Sequence, residues 1–243
     1  LHYMPLKEEN DYLIDLDAIP EELARRAKLM IVSYPNNPTC ALAPEWFYDK
    51  LIAFAKKYDI IVIHDNAYSE LVYDGATCGS FLSHPGAMEV GVEFNSLSKP
   101  YGMAGARCGF CVGNPEVVAK LKLLKSNMDY GMFLPIQQAA IAAITGDQHC
   151  VETTRLAYQS RRDVLVDGLN ALGWQVEKPA ATMFVWAKLP QGYTDDTAFV
   201  LTLLDACGLL CVPGSAFGPS GKGHVRQAVD GRSIRSGQAS GPV

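Results

Sequence analysis

The sequence predicts an α/β fold, with a mostly parallel sheet in the first half of the chain and a smaller α+β domain in the second. Two observations predict it. Short apolar runs alternate with a segment of helical spacing over residues 29–112. After residue 146 the pattern changes to one long helix followed by short strand-like runs. We therefore expect one domain over residues 1–145 and a smaller one over residues 146–229.

The elements of the first half follow in order. The predicted strands, listed from the N-terminus, are residues 29–34, 60–63, 92–96 and 110–112. Residues 44–58 have apolar side chains at helical spacing, with Pro44 suited to the first turn. The last strand is an apolar run that we expect to be buried. Short connections between strand, helix and strand favour a parallel sheet, whose chemistry belongs at the carboxyl ends of its strands.

The second half predicts a long amphipathic helix over residues 150–172, which Gly173 ends. The other candidates are strands at residues 174–177, 183–187 and 209–212 and a helix at 197–207. Residues 230–243 are rich in Gly, Ser and Gln and lack periodicity, so they predict a disordered tail.

Composition excludes several classes of function. No run approaches the roughly 18 consecutive apolar residues of a membrane span. With 21 Lys+Arg against 26 Asp+Glu, the chain has no electrostatic footprint for nucleic acid. Its 7 scattered cysteines favour a reducing compartment, the cytoplasm, over a disulfide scaffold. Cys108 and Cys111 have Cys-x-x-Cys spacing, but their apolar surroundings favour buried small residues, so no metal site is predicted.

Polar residues follow the first two predicted strands. Asn36 and Asn37 lie in a rigid turn that we expect to present two amides, although a plain Asn-Pro turn has the same pattern. Asp65 ends an apolar strand, with Tyr68 three residues on. A buried carboxylate is costly unless it is paired with a cation, and the alternative is a helix cap.

Lys99 follows the third strand and lies near hydroxyl residues and an arginine. Hydroxyls, backbone amides and a guanidinium together can cradle a phosphate, and a lysine there can form an imine with an aldehyde. The residues are Ser96, Ser98, Lys99 and Arg107. Arg226 follows a glycine-rich stretch, and we expect it to end a short strand where it could bind a carboxylate through two hydrogen bonds. The alternatives are an exposed loop lysine and an exposed strand-edge arginine.

Taken together, these motifs resemble the fold type I pyridoxal-phosphate-dependent aminotransferases of class I/II, the aspartate aminotransferase superfamily. The motifs are Asn36-Asn37-Pro38-Thr39, Asp65-x-x-Tyr68, Ser96-x-Ser98-Lys99-x(7)-Arg107 and the late Arg226. Residues 64–70 and 93–99 look most like bacterial LL-diaminopimelate aminotransferase-like enzymes. The resemblance implies a three-layer, mostly parallel sheet in a large cofactor-binding domain and a small C-terminal domain.

The resemblance also implies a role for each residue. Lys99 would hold the aldehyde of pyridoxal 5'-phosphate as an imine and shuttle a proton. Asp65 would pair with the pyridine nitrogen. Tyr68 and Asn37 would hydrogen-bond the ring oxygen.

The remaining implied contacts are with the phosphate and the substrate. Ser96, Ser98 and Arg107 would bind the phosphate. Arg226, helped by Asn37, would bind the substrate α-carboxylate. The substrates would be an amino acid and a 2-oxo acid, exchanging an amino group by a ping-pong mechanism in a homodimer.

The chain departs from the family pattern in several places. Cys40 stands where the family usually has glycine, which predicts strain in that turn. Ala106 stands where close relatives often have a large aromatic residue. The family's N-terminal third has no counterpart, so the chain resembles a fragment that we expect to have little activity by itself.

Two other functions fit the same residues. One is a carbon–sulfur β-lyase that uses the same cofactor. The other is the aminotransferase-like effector domain of a transcription regulator.

Overall fold

The computed structural model describes residues 1–229, and these divide into two units. The first comprises Leu1–Asn37, Ala41–Arg155 and Ala180–Thr182. The second comprises Pro38–Cys40, Leu156–Pro179 and the described residues from Met183 onward. The domain division near residue 146 stays a prediction, and the predicted tail at 230–243 lies outside the described residues.

The regular elements of the first unit are, in order, α1 (Glu21–Arg26), β1 (Leu29–Ser33), α2 (Glu45–Tyr58), β2 (Ile61–Asp65), α3 (Ala87–Val90), β3 (Gly91–Ser96), β4 (Gly109–Gly113), α4 (Pro115–Met128) and α5 (Leu134–Thr145). Helix α6 (His149–Ala171) begins in the first unit and ends in the second. The second unit continues with β5 (Phe184–Lys188), α7 (Asp196–Cys207), β6 (Val212–Pro213) and β7 (His224–Ala228).

The first unit has a four-stranded sheet in the order β1-β2-β3-β4. The first three strands are parallel and β4 is antiparallel to β3, which confirms the predicted α/β fold with a mostly parallel sheet. Alternate residues of β1 and β2 pack against α2 in the core, and Leu51 of α2 and Val62 of β2 are fully buried there. The register places Val32, His64 and Glu93 side by side on the face that α2 covers.

The second unit has an antiparallel sheet in the order β5-β7-β6. One face is apolar and packs against α6 and α7, with Val166, Val185 and Val225 at its centre. The predicted helix at 197–207 is confirmed as α7, and the Asp195 carboxylate accepts hydrogen bonds from two backbone N–H groups of its first turn.

Four details of the prediction were wrong. Residues 110–112 form the edge strand β4, so Phe110 and Val112 are each 43% exposed rather than buried. Residues 174–177 form no strand, and of residues 209–212 only Val212 belongs to one. Arg226 lies within β7 and does not end it.

No disulfide joins any of the seven cysteines, which all lie within the described residues. Within residues 1–229, no helix combines the length and the apolar character needed to cross a membrane.

Candidate active site

The carboxylate of Asp65 lies at the carboxyl end of β2, on the sheet face opposite His64. The side chain is exposed, and its Oδ1 accepts a hydrogen bond from the backbone N–H of Ala67 at 3.2 Å. No ion pair to Asp65 occurs among the described residues. The structure therefore leaves this carboxylate accessible to a cationic or N–H-bearing ligand.

The lysine and the phenol predicted to act together are neighbours. Lys99 Nζ lies 5.9 Å from the centroid of the Tyr68 ring, and the Tyr68 side chain is buried. The backbone N–H of Asn66 donates to Phe94 O at 2.9 Å, which extends the contact between β2 and β3 beyond the end of β2. Adjacent parallel strands therefore deliver the carboxylate, the phenol and the amine to one edge of the sheet.

The predicted phosphate ligands surround the turn after β3. Ser96 Oγ accepts a hydrogen bond from the backbone N–H of Ser98 at 3.1 Å, which closes a tight turn just before Lys99. Arg107 has a left-handed backbone, with φ 54°, and its exposed guanidinium donates to Ala104 O at 3.2 Å. The backbone N–H of Leu97 donates to Cys108 O at 3.2 Å. That bond ties the Arg107 segment to the lysine turn.

The turn after β1 presents one of its two predicted amides. Asn36 is buried, and its side-chain Nδ2 donates to Ser33 O at 3.1 Å. Its backbone N–H donates to Ala41 O at 2.9 Å. Asn37 is exposed. The expectation of two presented amides was wrong, because Asn36 holds the turn together and Asn37 alone is accessible.

Arg226 belongs to the second unit, on the sheet face opposite the apolar core. Its guanidinium carbon lies 4.2 Å from the centroid of the Phe184 ring and 4.6 Å from that of Phe217. On the same face the rings of Trp186 and His224 stack at 4.9 Å with an interplanar angle of 5°. Aromatic contacts of this kind hold a guanidinium plane in one orientation.

A buried polar network lies beneath the sheet edge and was missed by the sequence reasoning. Its centre is Glu93 of β3, whose carboxylate accepts a hydrogen bond from His64 Nδ1 at 3.0 Å. Burial alone would raise the pKa of Glu93, but hydrogen bonds from His64, Asn95 and Asn66 outweigh it and lower the pKa to about 2. The available signal was a charged residue inside the predicted strand at 92–96 and a histidine directly after the predicted strand at 60–63, and only the register shows that the two lie side by side.

The comparison with known families decides the assignment. The profile of aminotransferase class I and II matches residues 1–232. The chain belongs to the class I and II aminotransferase family. Within it, the chain is 50% identical over 228 residues to the LL-diaminopimelate aminotransferase of Moorella thermoacetica, covering 94% of this chain and 58% of that protein.

Another curated relative and two solved structures match a similar share of the chain. The LL-diaminopimelate aminotransferase 2 of a Nostoc species is 50% identical over 226 residues, covering 93% of this chain and 58% of that protein. The apo-BacF structure from Bacillus subtilis superposes with a TM-score of 0.90 at 40% identity, covering 94% of this chain and 58% of that one. A probable N-succinyldiaminopimelate aminotransferase from Thermus thermophilus gives 0.87 at 38%, covering 94% and 60%. The chain thus spans 58% of the length of both curated relatives.

The side chains at the sheet edge fit the cofactor of this family. A phosphorylated pyridine aldehyde needs an amine for its carbonyl, a carboxylate for its ring nitrogen and donors for its phosphate. The exposed Asp65 carboxylate and the Lys99 amine beside the Tyr68 ring meet the first two needs. Residues 1–229 hold no cluster of three or more His, Cys, Asp or Glu side chains arranged for a metal ion.

Proposed function

We propose that the protein is a pyridoxal-phosphate-dependent aminotransferase that moves an amino group between an amino acid and a 2-oxo acid by a ping-pong mechanism. The observation that supports this most directly is the placement of Lys99 Nζ 5.9 Å from the Tyr68 ring, at the same sheet edge as the exposed Asp65 carboxylate. Membership of the class I and II aminotransferase family supports the same reaction.

Each proposed residue has a distinct task at this edge. When bound, the cofactor supplies an electron sink for the electrons left when the substrate α-proton is removed. Lys99 would hold the cofactor aldehyde and move that proton. Asp65 would keep the ring nitrogen protonated through a charge-assisted hydrogen bond. Tyr68 and Asn37 would donate to the ring oxygen.

The anionic groups would be bound by the remaining residues. Ser96, Ser98 and Arg107 would bind the phosphate. Arg226 would bind the substrate α-carboxylate through two parallel N–H donors. We propose LL-diaminopimelate as the amino donor, because curated relatives of that name are 50% identical to this chain.

We also propose that the protein forms a homodimer. Helices α4 and α5 bury none of their side chains within the described structure. Their most exposed large apolar residues are Leu123, Leu124, Met128, Leu134, Ile141 and Ile144. An exposed apolar surface of this extent is typical of a protein–protein interface. Light scattering of the wild type and of Leu124→Glu should show a dimer that the charge weakens, and a monomeric wild type would contradict this.

For the compartment we propose the reducing cytoplasm, because no disulfide joins any of the seven cysteines. Mass spectrometry after thiol labelling in denaturant of protein from unreduced cell extract should find all seven modified, and a disulfide-linked pair would contradict this compartment.

The function is tested on the product of the complete gene, alongside the 243-residue chain. After addition of pyridoxal 5'-phosphate and removal of the unbound cofactor, the protein should keep a visible absorbance band that Lys99→Ala abolishes and that the control Lys120→Ala, an exposed lysine of α4, retains. Amino donors, together with a cystathionine-like thioether that a β-lyase could cleave, are then tested with and without a 2-oxo acid. Turnover that needs the oxo acid supports the aminotransferase, whereas pyruvate release without it indicates the β-lyase. A complete protein without the band would overturn the proposal.

A further inference from the structure

The Glu93 carboxylate is a buried hub that five donors share. Oε1 accepts from Asn66 Nδ2 at 3.2 Å and from Asn95 Nδ2 at 3.0 Å. Oε2 accepts from His64 Nδ1 at 3.0 Å, Ser80 Oγ at 2.9 Å and the backbone N–H of Phe81 at 2.9 Å. With Glu93 only 3% exposed, these donors take the place of water around the charge.

The histidine in this network is itself oriented from both sides. An ionised carboxylate only accepts, so the His64 proton that faces Glu93 is on Nδ1. Tyr48 Oη lies 3.4 Å from His64 Nε2 and donates to it when the imidazole is neutral. His64 is fully buried, as is Tyr48 of α2. The line Tyr48–His64–Glu93 therefore joins the helix layer to the centre of the sheet.

The two amide donors are immediate neighbours of proposed cofactor ligands. Asn66 directly follows Asp65 at the end of β2, and Asn95 directly precedes Ser96 at the end of β3. Both amides bind the same oxygen, Oε1 of Glu93. One carboxylate oxygen thus fixes the spacing of the strand ends that deliver Asp65 and Ser96.

We propose that Glu93 is a positioning residue, whose carboxylate sets the geometry of the segments 65–68 and 96–99 for the cofactor. The proposal rests on the proposed function. Stability alone does not account for the hub, because replacing a buried ionic cluster with apolar side chains is often neutral or stabilising. What an apolar cluster could not do is join the side-chain amides of Asn66 and Asn95 at one point.

The first test uses hydrogen–deuterium exchange on the protein without cofactor, so that it does not depend on the proposed function. In Glu93→Gln an NH2 donor replaces one of the two acceptor oxygens, so the five donors lose part of their acceptor, and we expect exchange at 65–68 and 96–99 to rise about tenfold while α2 keeps its protection. Glu89→Gln, an exposed carboxylate on α3, is the matched control and should change neither segment.

Two further variants, each of which removes one amide donor to Glu93, test the proposal even if Glu93→Gln fails to fold. Asn66→Ala should loosen 65–68 only, and Asn95→Ala should loosen 96–99 only. Uniform loosening of the whole unit, or unchanged exchange in both segments, would overturn the positioning role.

The second test measures the dissociation constant of pyridoxal 5'-phosphate by absorbance and fluorescence titration. We expect it to rise about tenfold in each variant that loosens a segment and to stay unchanged in Glu89→Gln. If the wild type binds no cofactor, the proposed function fails while the exchange result still stands. Loosened segments with wild-type affinity would refute the link between the hub and the cofactor.

Discussion

The guanidinium carbon of Arg226 lies 4.2 Å from the centroid of the Phe184 ring, on the face of the second unit's sheet that is turned away from its apolar core. Phe217 offers a second ring at 4.6 Å. Since an arginine binds a carboxylate best when its plane is fixed, these rings prepare Arg226 for a directional contact. Phe217 belongs to a short turn that Asp196 holds, because its carboxylate accepts from the Ser215 backbone N–H at 2.8 Å.

Replacing Phe217 should therefore weaken substrate binding more than turnover. A cation–π contact contributes about 1 kcal/mol, so Phe217→Leu should raise the KM for the amino acid roughly fivefold and leave kcat within about twofold. Phe217→Tyr retains the ring and should restore the wild-type KM. Steady-state kinetics of the complete protein measure both constants. A fall in kcat equal to the fall in kcat/KM would show that Phe217 acts elsewhere.

The depressed pKa of Glu93 predicts a specific loss of stability in acid. Hydrogen bonds outweigh burial and lower the pKa from 4.5 to about 2 in the folded protein. A group whose pKa falls on folding stabilises the fold fully above its unfolded pKa and loses that effect as the pH drops through the folded value. The fall corresponds to roughly 3 kcal/mol, present above about pH 4.5 and lost by about pH 2.

Urea unfolding between pH 2 and 7 checks this range. In Glu93→Gln the unfolding free energy should fall less steeply than in the wild type between about pH 4.5 and about pH 2, because the glutamine side chain does not titrate. The exposed Glu89 provides the control, and Glu89→Gln should leave this fall as in the wild type. A fall as steep in Glu93→Gln as in the wild type would contradict the assignment.

Most of the sheet and helix pattern was predictable because its signals are local. The strands near residues 29, 60 and 92 are short apolar runs between turn residues, and α2 has a clear helical spacing. Lys99 and Tyr68 could be grouped in advance because both follow strands of a parallel sheet. What sequence could not provide was the environment of each side chain.

The wrong predictions concern features that local sequence patterns do not encode. These features are contacts between residues distant in sequence and hydrogen bonds made by side chains. The β4 run is apolar, but only the sheet order shows that it lies at an edge. We expected Asn36 to present its side-chain amide, but this amide donates a hydrogen bond to Ser33 O within the turn. The hub at Glu93 depends on His64 lying beside it in register, which no single-strand pattern reveals.

The missing strand at residues 174–177 leads to a prediction about Asn170. Its Oδ1 accepts from the Val176 backbone N–H at 2.8 Å, and its Nδ2 donates to Val176 O at 3.0 Å. One side chain thus satisfies both backbone groups that a strand partner would have bonded. Asn170→Ala should cost about 2 kcal/mol in unfolding free energy, because Val176 is buried.

Denaturant unfolding of Asn170→Ala measures that loss. Asn127 of α4 is a matched control, since its Nδ2 makes exposed hydrogen bonds to Leu123 O and Ser126 Oγ. Asn127→Ala should change the unfolding free energy by less than about 0.5 kcal/mol. Equal losses of unfolding free energy in the two variants would show that the two hydrogen bonds between Asn170 and Val176 add no stability of their own.

The last prediction concerns Cys40, whose φ of 65° lies in the left-handed region. This agrees with the expected strain where the family usually has glycine. The thiol is buried and lies 3.3 Å from Phe184 O, to which it donates. Cys40→Ala loses that contact and keeps the strain of about 1–2 kcal/mol, whereas Cys40→Gly removes the strain at some cost in chain entropy. Urea unfolding should find Cys40→Gly more stable than Cys40→Ala by about 1 kcal/mol, and the reverse order would show that this turn tolerates a Cβ atom.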